Sequence, residues 1–215
     1  GETFTITLVR ETIPDPTVEH SLVEDTDVGY IRMSFFSERT PDELRAAIAD
    51  LREQGATRLV LDLRNNPGGL LESAIATTSQ FLEGGIIAYQ QAKDGSRQEL
   101  EARPGGVALD IPLVLLVNEG SASASEILAG AMQDTGRAQL VGHETFGKGS
   151  VQIPFTLSDG SSLHVTVAHW LTPNGTDLSE GGLTPDVWVD LSEEDRQAGR
   201  DPQLERALEL IQSGE

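Results

Sequence analysis

The sequence contains no cysteine, which excludes disulfides, thiolate metal sites and a cysteine nucleophile together. It also lacks any apolar run long enough to span a bilayer, and no basic, hydrophobic leader pattern opens it, so no membrane insertion is expected of these 215 residues. Basic residues are scarce. Fifteen Lys and Arg against 35 Asp and Glu leave a formal charge of −20, which repels phosphate backbones and anionic headgroups. Nucleic acid is therefore not an expected partner. The acidic residues form no single block, so the charge reads as a solvated surface. His20, His143, His164 and His169 show no spacing, to a carboxylate or to one another, that marks a catalytic pair or metal site. No metal or other cofactor is expected, and there is no internal repeat.

What is present suits one sizeable core, with 38% hydrophobic residues. Phe4–Val9 alternates like a strand and runs into Ile13-Pro14-Asp15-Pro16, an extended connector. Val28–Phe36 reads as a strand, and Thr40-Pro41-Asp42-Glu43 supplies a cap, a first-turn proline and acidic residues for a helix to about Gln54. Arg58–Leu63 is strand-like, Asn65-Asn66-Pro67-Gly68-Gly69 is a tight turn, and an apolar-periodic helix follows from Leu70. The same strand, turn, helix unit recurs from Ile111–Val117, a nearly continuous apolar run, into Gly120-Ser121-Ala122-Ser123-Ala124-Ser125. This recurrence predicts an α/β fold with both turns at the carboxyl ends of buried parallel strands, where such sheets bind ligands. Later segments are mostly β. Ala138–Val141 is a strand, Val151–Thr156 and Ser162–Trp170 pair around Ser158-Asp159-Gly160, and Val187–Val189 is a short strand. Asp201-Pro202-Gln203 begins a terminal helix through Ile211.

A hydroxyl at a helix start, followed 25 residues later by a glycine-flanked lysine, fits a serine hydrolase with a lysine base. The amide of Ala124, next to Ser123, is suited to stabilise an oxyanion, with Gly68 or Gly69 as the second donor. Lys148 lies between Gly147 and Gly149, and a lysine acts as a base only when desolvated, to which Phe146 is expected to contribute. Gln152 falls on the same face as Lys148 in an extended segment and can orient the amine. Asp134 is read as an exposed residue or a local hydrogen-bond acceptor, outside the catalytic set.

At these residues the chain resembles the carboxyl-terminal processing, or tail-specific, proteases. Ser-Ala-Ser-Ala-Ser-Glu-Ile matches their nucleophile segment, Phe-Gly-Lys-Gly followed by Ser-Val-Gln their base segment, and Leu-Asp-Leu-Arg-Asn-Asn-Pro-Gly-Gly their oxyanion turn. Leu171–Gly175 and Gly182–Asp186 match further landmarks. The resemblance implies Ser123 as nucleophile, Lys148 as general base, Gln152 as its orienting partner, and Ala124 with Gly68 or Gly69 as oxyanion donors. It implies a ClpP/crotonase-like core, a central β-sheet flanked by helices with an additional β subregion. It further implies endoproteolysis of proteins or peptides with apolar C-terminal tails, in an extracytoplasmic compartment. Family members carry a PDZ domain ahead of the core, so residues 1–22 are read as a remnant of its last strand and linker and 23–215 as the protease core. A non-catalytic module that binds protein tails or apolar ligands is the competing reading. Acyl-CoA chemistry on the crotonase fold fits the serine and lysine segments poorly.

Overall fold

The computed structural model describes residues 15–214 together with Thr3; the alternating stretch Phe4–Ile13 lies outside the described residues. Along the chain run β1 (Val18–Leu22), β2 (Val28–Met33), α1 (Thr40–Glu53), β3 (Arg58–Asp62), α2 (Leu71–Thr78), β4 (Ile86–Ala92), β5 (Arg97–Glu101) and β6 (Leu113–Val117). They are followed by α3 (Ala124–Asp134), β7 (Gln139–Gly142), β8 (Ser150–Thr156), β9 (Ser162–Leu171), β10 (Val187–Trp188), α4 (Glu193–Ala198) and α5 (Pro202–Ser213). The strands form a six-stranded sheet ordered β1-β2-β3-β6-β7-β10 and a four-stranded sheet ordered β5-β4-β9-β8. In the first sheet only β1 is antiparallel to its neighbour. The second is antiparallel throughout.

The apolar runs explain the central layer. Leu59 and Leu61 of β3 and Leu113, Leu115 and Val117 of β6 point to one face, where they join Leu44, Ile48 and Leu51 of α1 and Ile127 and Leu128 of α3. Val60, Val114 and Leu116 alternate to the other face and meet Ala207, Leu210 and Ile211 of α5. A strand buried on both faces has no place for polar residues, hence the unbroken Leu-Val-Leu-Leu-Val of β6. Each such side chain contributes about 1.5–3 kcal/mol on burial. The register sets β3 and β6 side by side, with Leu61 against Leu115 and Asp62 against Leu116. The two turns that follow these strands are thereby brought together.

Residues 18–22, which the sequence groups with the upstream segment, form the edge strand of the central sheet. Val18 pairs with Met33 and Leu22 with Gly29, while Thr17 N–H and Oγ1 donate to Glu43 of α1 at 2.8 and 2.7 Å. Residues 18–22 are thus hydrogen-bonded into the central sheet, and Thr17 ties them to α1. Thr40 is the first residue of α1 and Arg39 its N-cap; the Thr40 hydroxyl instead accepts from Ser37 N–H at 2.8 Å. β1, β4, β5 and α4 have no counterpart in the sequence pattern. β4 and β5 pair with each other, but β5 buries only Leu100 of Arg-Gln-Glu-Leu-Glu, and α4 buries nothing, so neither shows a readable apolar period.

Candidate active site

The loop after β6 presents the serine cluster, and its three hydroxyls have different fates. Ser121 Oγ donates to Leu63 O at 2.8 Å and accepts from Asn118 N–H at 3.0 Å. Ser125 Oγ donates to Asn66 O at 2.9 Å. Both are fully buried and tie the serine loop to the turn after β3. Ser123, the N-cap of α3, has φ 56° and ψ −112°, a conformation costing a non-glycine residue about 1–3 kcal/mol. Its Oγ makes no helix-capping hydrogen bond. It lines a cavity of about 320 Å³ shared with Gly69, Ala124, Lys148 and Gln152.

The turn after β3 is held without reference to the cavity. Asn66 is fully buried. Its Nδ2 donates to Met33 O at 2.9 Å, its Oδ1 accepts from Gly68 N–H at 2.9 Å, and its carbonyl accepts from Ala122 N–H at 3.0 Å. Gly68 N–H is thus occupied. Gly69 differs: among the described residues no hydrogen bond engages its N–H or that of Ala124, and both residues line the cavity. The backbone requires glycine here, because Gly69 has φ 150° and a Cβ would collide with Phe36 O. The geometry therefore separates the two glycines, leaving Gly69 with a donor to offer.

Lys148 reaches the same cavity through a residue that sequence reasoning passed over. Glu126, in the first turn of α3, is fully buried. Its Oε1 accepts from Thr145 Oγ1 at 2.6 Å and Gly147 N–H at 2.7 Å. Its Oε2 accepts from Ser123 N–H at 2.8 Å and Lys148 N–H at 2.9 Å. One carboxylate therefore clamps the serine and lysine backbones to each other. The signal was present as Ser123-x-x-Glu126, the spacing of a capping box, in which the glutamate reaches back to the N-cap amide. Gly149 lets the segment pass against the chain at 178–179, where a Cβ would collide with Ser179 N.

The side chains of the base segment are less tightly held than its backbone. Lys148 is exposed, and no hydrogen bond links it to Ser123 among the described residues. Phe146 projects outward at 65% exposure, so it does not supply the desolvation expected of it. Gln152 Nε2 donates to Thr166 Oγ1 at 3.4 Å, and the register shift between Val151 and Gln152 alters the simple alternation. The cavity wall is completed by Leu71, Ile127, Pro154, His164 and Trp170.

Two of the histidines find polar partners through tertiary packing. His20 Nε2 lies 2.7 Å from Asp50 Oδ2, and His169 Nδ1 lies 2.9 Å from Ser179 Oγ and 3.7 Å from Asp177 Oδ2. His20 and Asp50 come from β1 and α1, so no sequence spacing could reveal the pair; neither residue lines the serine cavity. His143 packs against Trp188 with ring centroids 4.2 Å apart. Asp134 accepts from Asn174 N–H at 2.8 Å, a partner 40 residues away in the chain rather than a local one.

A mixed central sheet, a second antiparallel sheet and a serine on a strained helix N-terminus give a ClpP/crotonase-like core. Residues 27–189 match peptidase family S41, and the chain belongs to that family. It is 46% identical over 190 residues to the carboxyl-terminal-processing protease of a Synechocystis species, covering 87% of this chain and 44% of the relative. With the carboxy-terminal processing protease CtpA of Bacillus subtilis it shares 41% over 187 residues, 86% of this chain and 40% of the relative. The chain thus spans less than half the length of these relatives. Among solved structures, the photosystem II D1 C-terminal processing protease superposes with a TM-score of 0.75 at 36% identity, covering 83% of this chain and 49% of that one. Mature CPAF complexed with lactacystin has the same fold, with a TM-score of 0.75 at 16% identity over 92% of this chain and 55% of that one.

Proposed function

We propose that the chain is the catalytic part of a serine endopeptidase that cleaves polypeptides near an apolar C-terminus through an acyl-enzyme. The observation that carries this reading is the meeting, in one cavity, of Ser123, Lys148 and two backbone residues with unengaged amides, Gly69 and Ala124. In the proposed reaction Ser123 Oγ attacks the scissile carbonyl while Lys148 Nζ takes its proton. The N–H groups of Gly69 and Ala124 receive the developing oxyanion, and the amine returns the proton to the leaving nitrogen. Water then hydrolyses the ester. A lysine accepts a proton only when neutral, and withdrawal of water favours that form. A peptide filling the cavity against Leu71, Ile127 and Trp170 supplies this withdrawal, and Gln152 orients the amine in that state.

Protein substrates, rather than small acyl donors, are supported by membership of a peptidase family. We assign residues 4–13 to the end of an upstream PDZ domain and place the reaction in an extracytoplasmic compartment. Among the described residues no helix is long and apolar enough to cross a membrane. Two relatives, from Arabidopsis thaliana and Tetradesmus obliquus, are chloroplastic processing peptidases. The test combines a fluorophosphonate probe, mapped by mass spectrometry, with a fluorogenic peptide ending in an apolar residue. Modification at Ser123 and turnover of the peptide are expected. Tight peptide binding without turnover or modification would instead establish a binding module.

A further inference from the structure

Arg64 stands directly ahead of the turn that carries Gly69, and its guanidinium has no free donor. Nε bonds both Oδ1 and Oδ2 of Asp62 at 3.0 Å, and Nη2 bonds Asp62 Oδ2 at 2.7 Å and Asp201 Oδ2 at 2.8 Å. Nη1 bonds Asp201 Oδ1 at 2.8 Å and Gln203 Oε1 at 3.0 Å. All five N–H groups of the rigid fork are therefore used, on a side chain only 11% exposed. Asp62 Oδ1 also accepts Arg64 N–H at 2.9 Å, and Tyr30 OH donates to Asp62 Oδ2 at 2.6 Å. One half of this grip comes from β2 and β3. The other half comes from the first turn of α5, which lies beyond the residues 27–189 matched to the family.

We propose that Asp201 is a positioning residue for the proposed oxyanion turn, acting through Arg64; the inference rests on the hydrolase reading above. The route from α5 to the turn is continuous. Asn65, next to Arg64, has φ 59°, and its N–H donates to Asn118 Oδ1 at 2.8 Å. Asn118 Nδ2 returns a bond to Asn65 Oδ1 at 3.1 Å. Asn66, Pro67 and Gly68 then lead to Gly69. Without Asp201, Nη1 and Nη2 each lose a carboxylate acceptor whose fixed bidentate geometry water does not reproduce, and the guanidinium pivots about Asp62. That pivot moves the Arg64 backbone at the root of the turn. Bidentate Arg–carboxylate pairing fixes geometry as well as energy, and an active site tolerates little displacement of an oxyanion donor.

Asp201 is also the N-cap of α5, accepting Leu204 N–H at 3.0 Å, so a purely structural role must be separable. Asp201→Asn achieves this, because asparagine caps a helix as well as aspartate while its amide NH₂ faces Arg64 Nη2 donor to donor. Leu210→Ala is the counterpart, loosening α5 in its apolar contacts without touching Arg64. In the full 215-residue chain, hydrogen exchange over 63–70 and the acylation rate of Ser123 by an activated ester are measured for both. Asp201→Asn should accelerate exchange in 63–70 and slow acylation about tenfold at unchanged ester KM, whereas Leu210→Ala should loosen α5 alone. Wild-type exchange in 63–70 in the Asp201→Asn protein would overturn the proposal, as would equal effects of the two variants on 63–70. If the wild-type chain is not acylated but the exchange difference appears, the anchoring stands and the hydrolase reading falls.

Discussion

Replacing Glu126 by glutamine tests whether one carboxylate sets the distance between the serine and lysine segments. The wild-type carboxylate has four donors on two oxygens: the Thr145 hydroxyl and Gly147 N–H on one, Ser123 N–H and Lys148 N–H on the other. Glutamine keeps the shape but turns one oxygen into a donor. If the NH₂ faces Thr145, the hydroxyl can accept it, yet Gly147 N–H is left opposed. If it faces the other way, both Ser123 and Lys148 N–H are opposed. The first arrangement is the less costly, leaving Gly147 N–H and the Thr145 hydroxyl proton without acceptors, while Thr145 Oγ1 already accepts Leu183 N–H at 2.8 Å, and weakening the charge-assisted bonds, together about 2–4 kcal/mol. For a chain of this size that corresponds to a fall in Tm of roughly 5–15 °C. Because Gly147 leads directly into Lys148, the segment shifts, and a displacement of order 1 Å lowers acylation about 100-fold. Thermal unfolding gives the first quantity, and single-turnover acylation well below the transition gives the second. An unchanged acylation rate in a folded Glu126→Gln protein would refute the clamp.

Ser123→Ala should abolish labelling by a serine-directed probe with little change in Tm, whereas Ser125→Ala, which removes one bond to Asn66 O, should cost about 1 kcal/mol of stability and retain labelling; intact-mass measurement after probe treatment decides between them. Gly69→Ala places a Cβ against Phe36 O, so it should lower stability by about 1–3 kcal/mol and acylation by at least about 10-fold through displacement of an oxyanion donor, read from urea unfolding and burst amplitude. Acid should weaken the α5 anchor in a defined direction. Burial of Asp201 opposes its ionisation, but Arg64 and the Leu204 N–H outweigh this and hold its carboxyl below the usual range. A folded pKa below the unfolded value of ~3.9 gives stability that is complete above that value and lost as pH falls through the lowered folded pKa. Urea unfolding of wild-type and Asp201→Asn protein should therefore differ most near neutrality and converge in acid, and a constant gap down to about pH 2 would contradict the assignment.

Much of this protein was legible from local chemistry. The apolar runs at 59–61 and 111–117 read as buried strands, which places the turn residues after each at their carboxyl ends. The serine and lysine segments carried enough pattern to nominate Ser123, Lys148 and Gln152, and the glycine pair to nominate an oxyanion turn. Periodicity could not rank the three serines, and only the family resemblance singled out Ser123, because Ser121 and Ser125 differ from it only in what lies opposite them: carbonyls of Leu63 and Asn66, about 60 residues away. It could not choose between Gly68 and Gly69, since the choice depends on which N–H the Asn66 side chain consumes. Nor could it join Glu126 to residues 145–148, Arg64 to Asp201, or His20 to Asp50, because each pairing is created by packing elements distant in the chain. Local pattern thus determined the buried parallel strands, the turns after them and the residue types able to do the chemistry. Tertiary structure decided which hydroxyl and which amide remain unspent after the buried polar groups have satisfied one another.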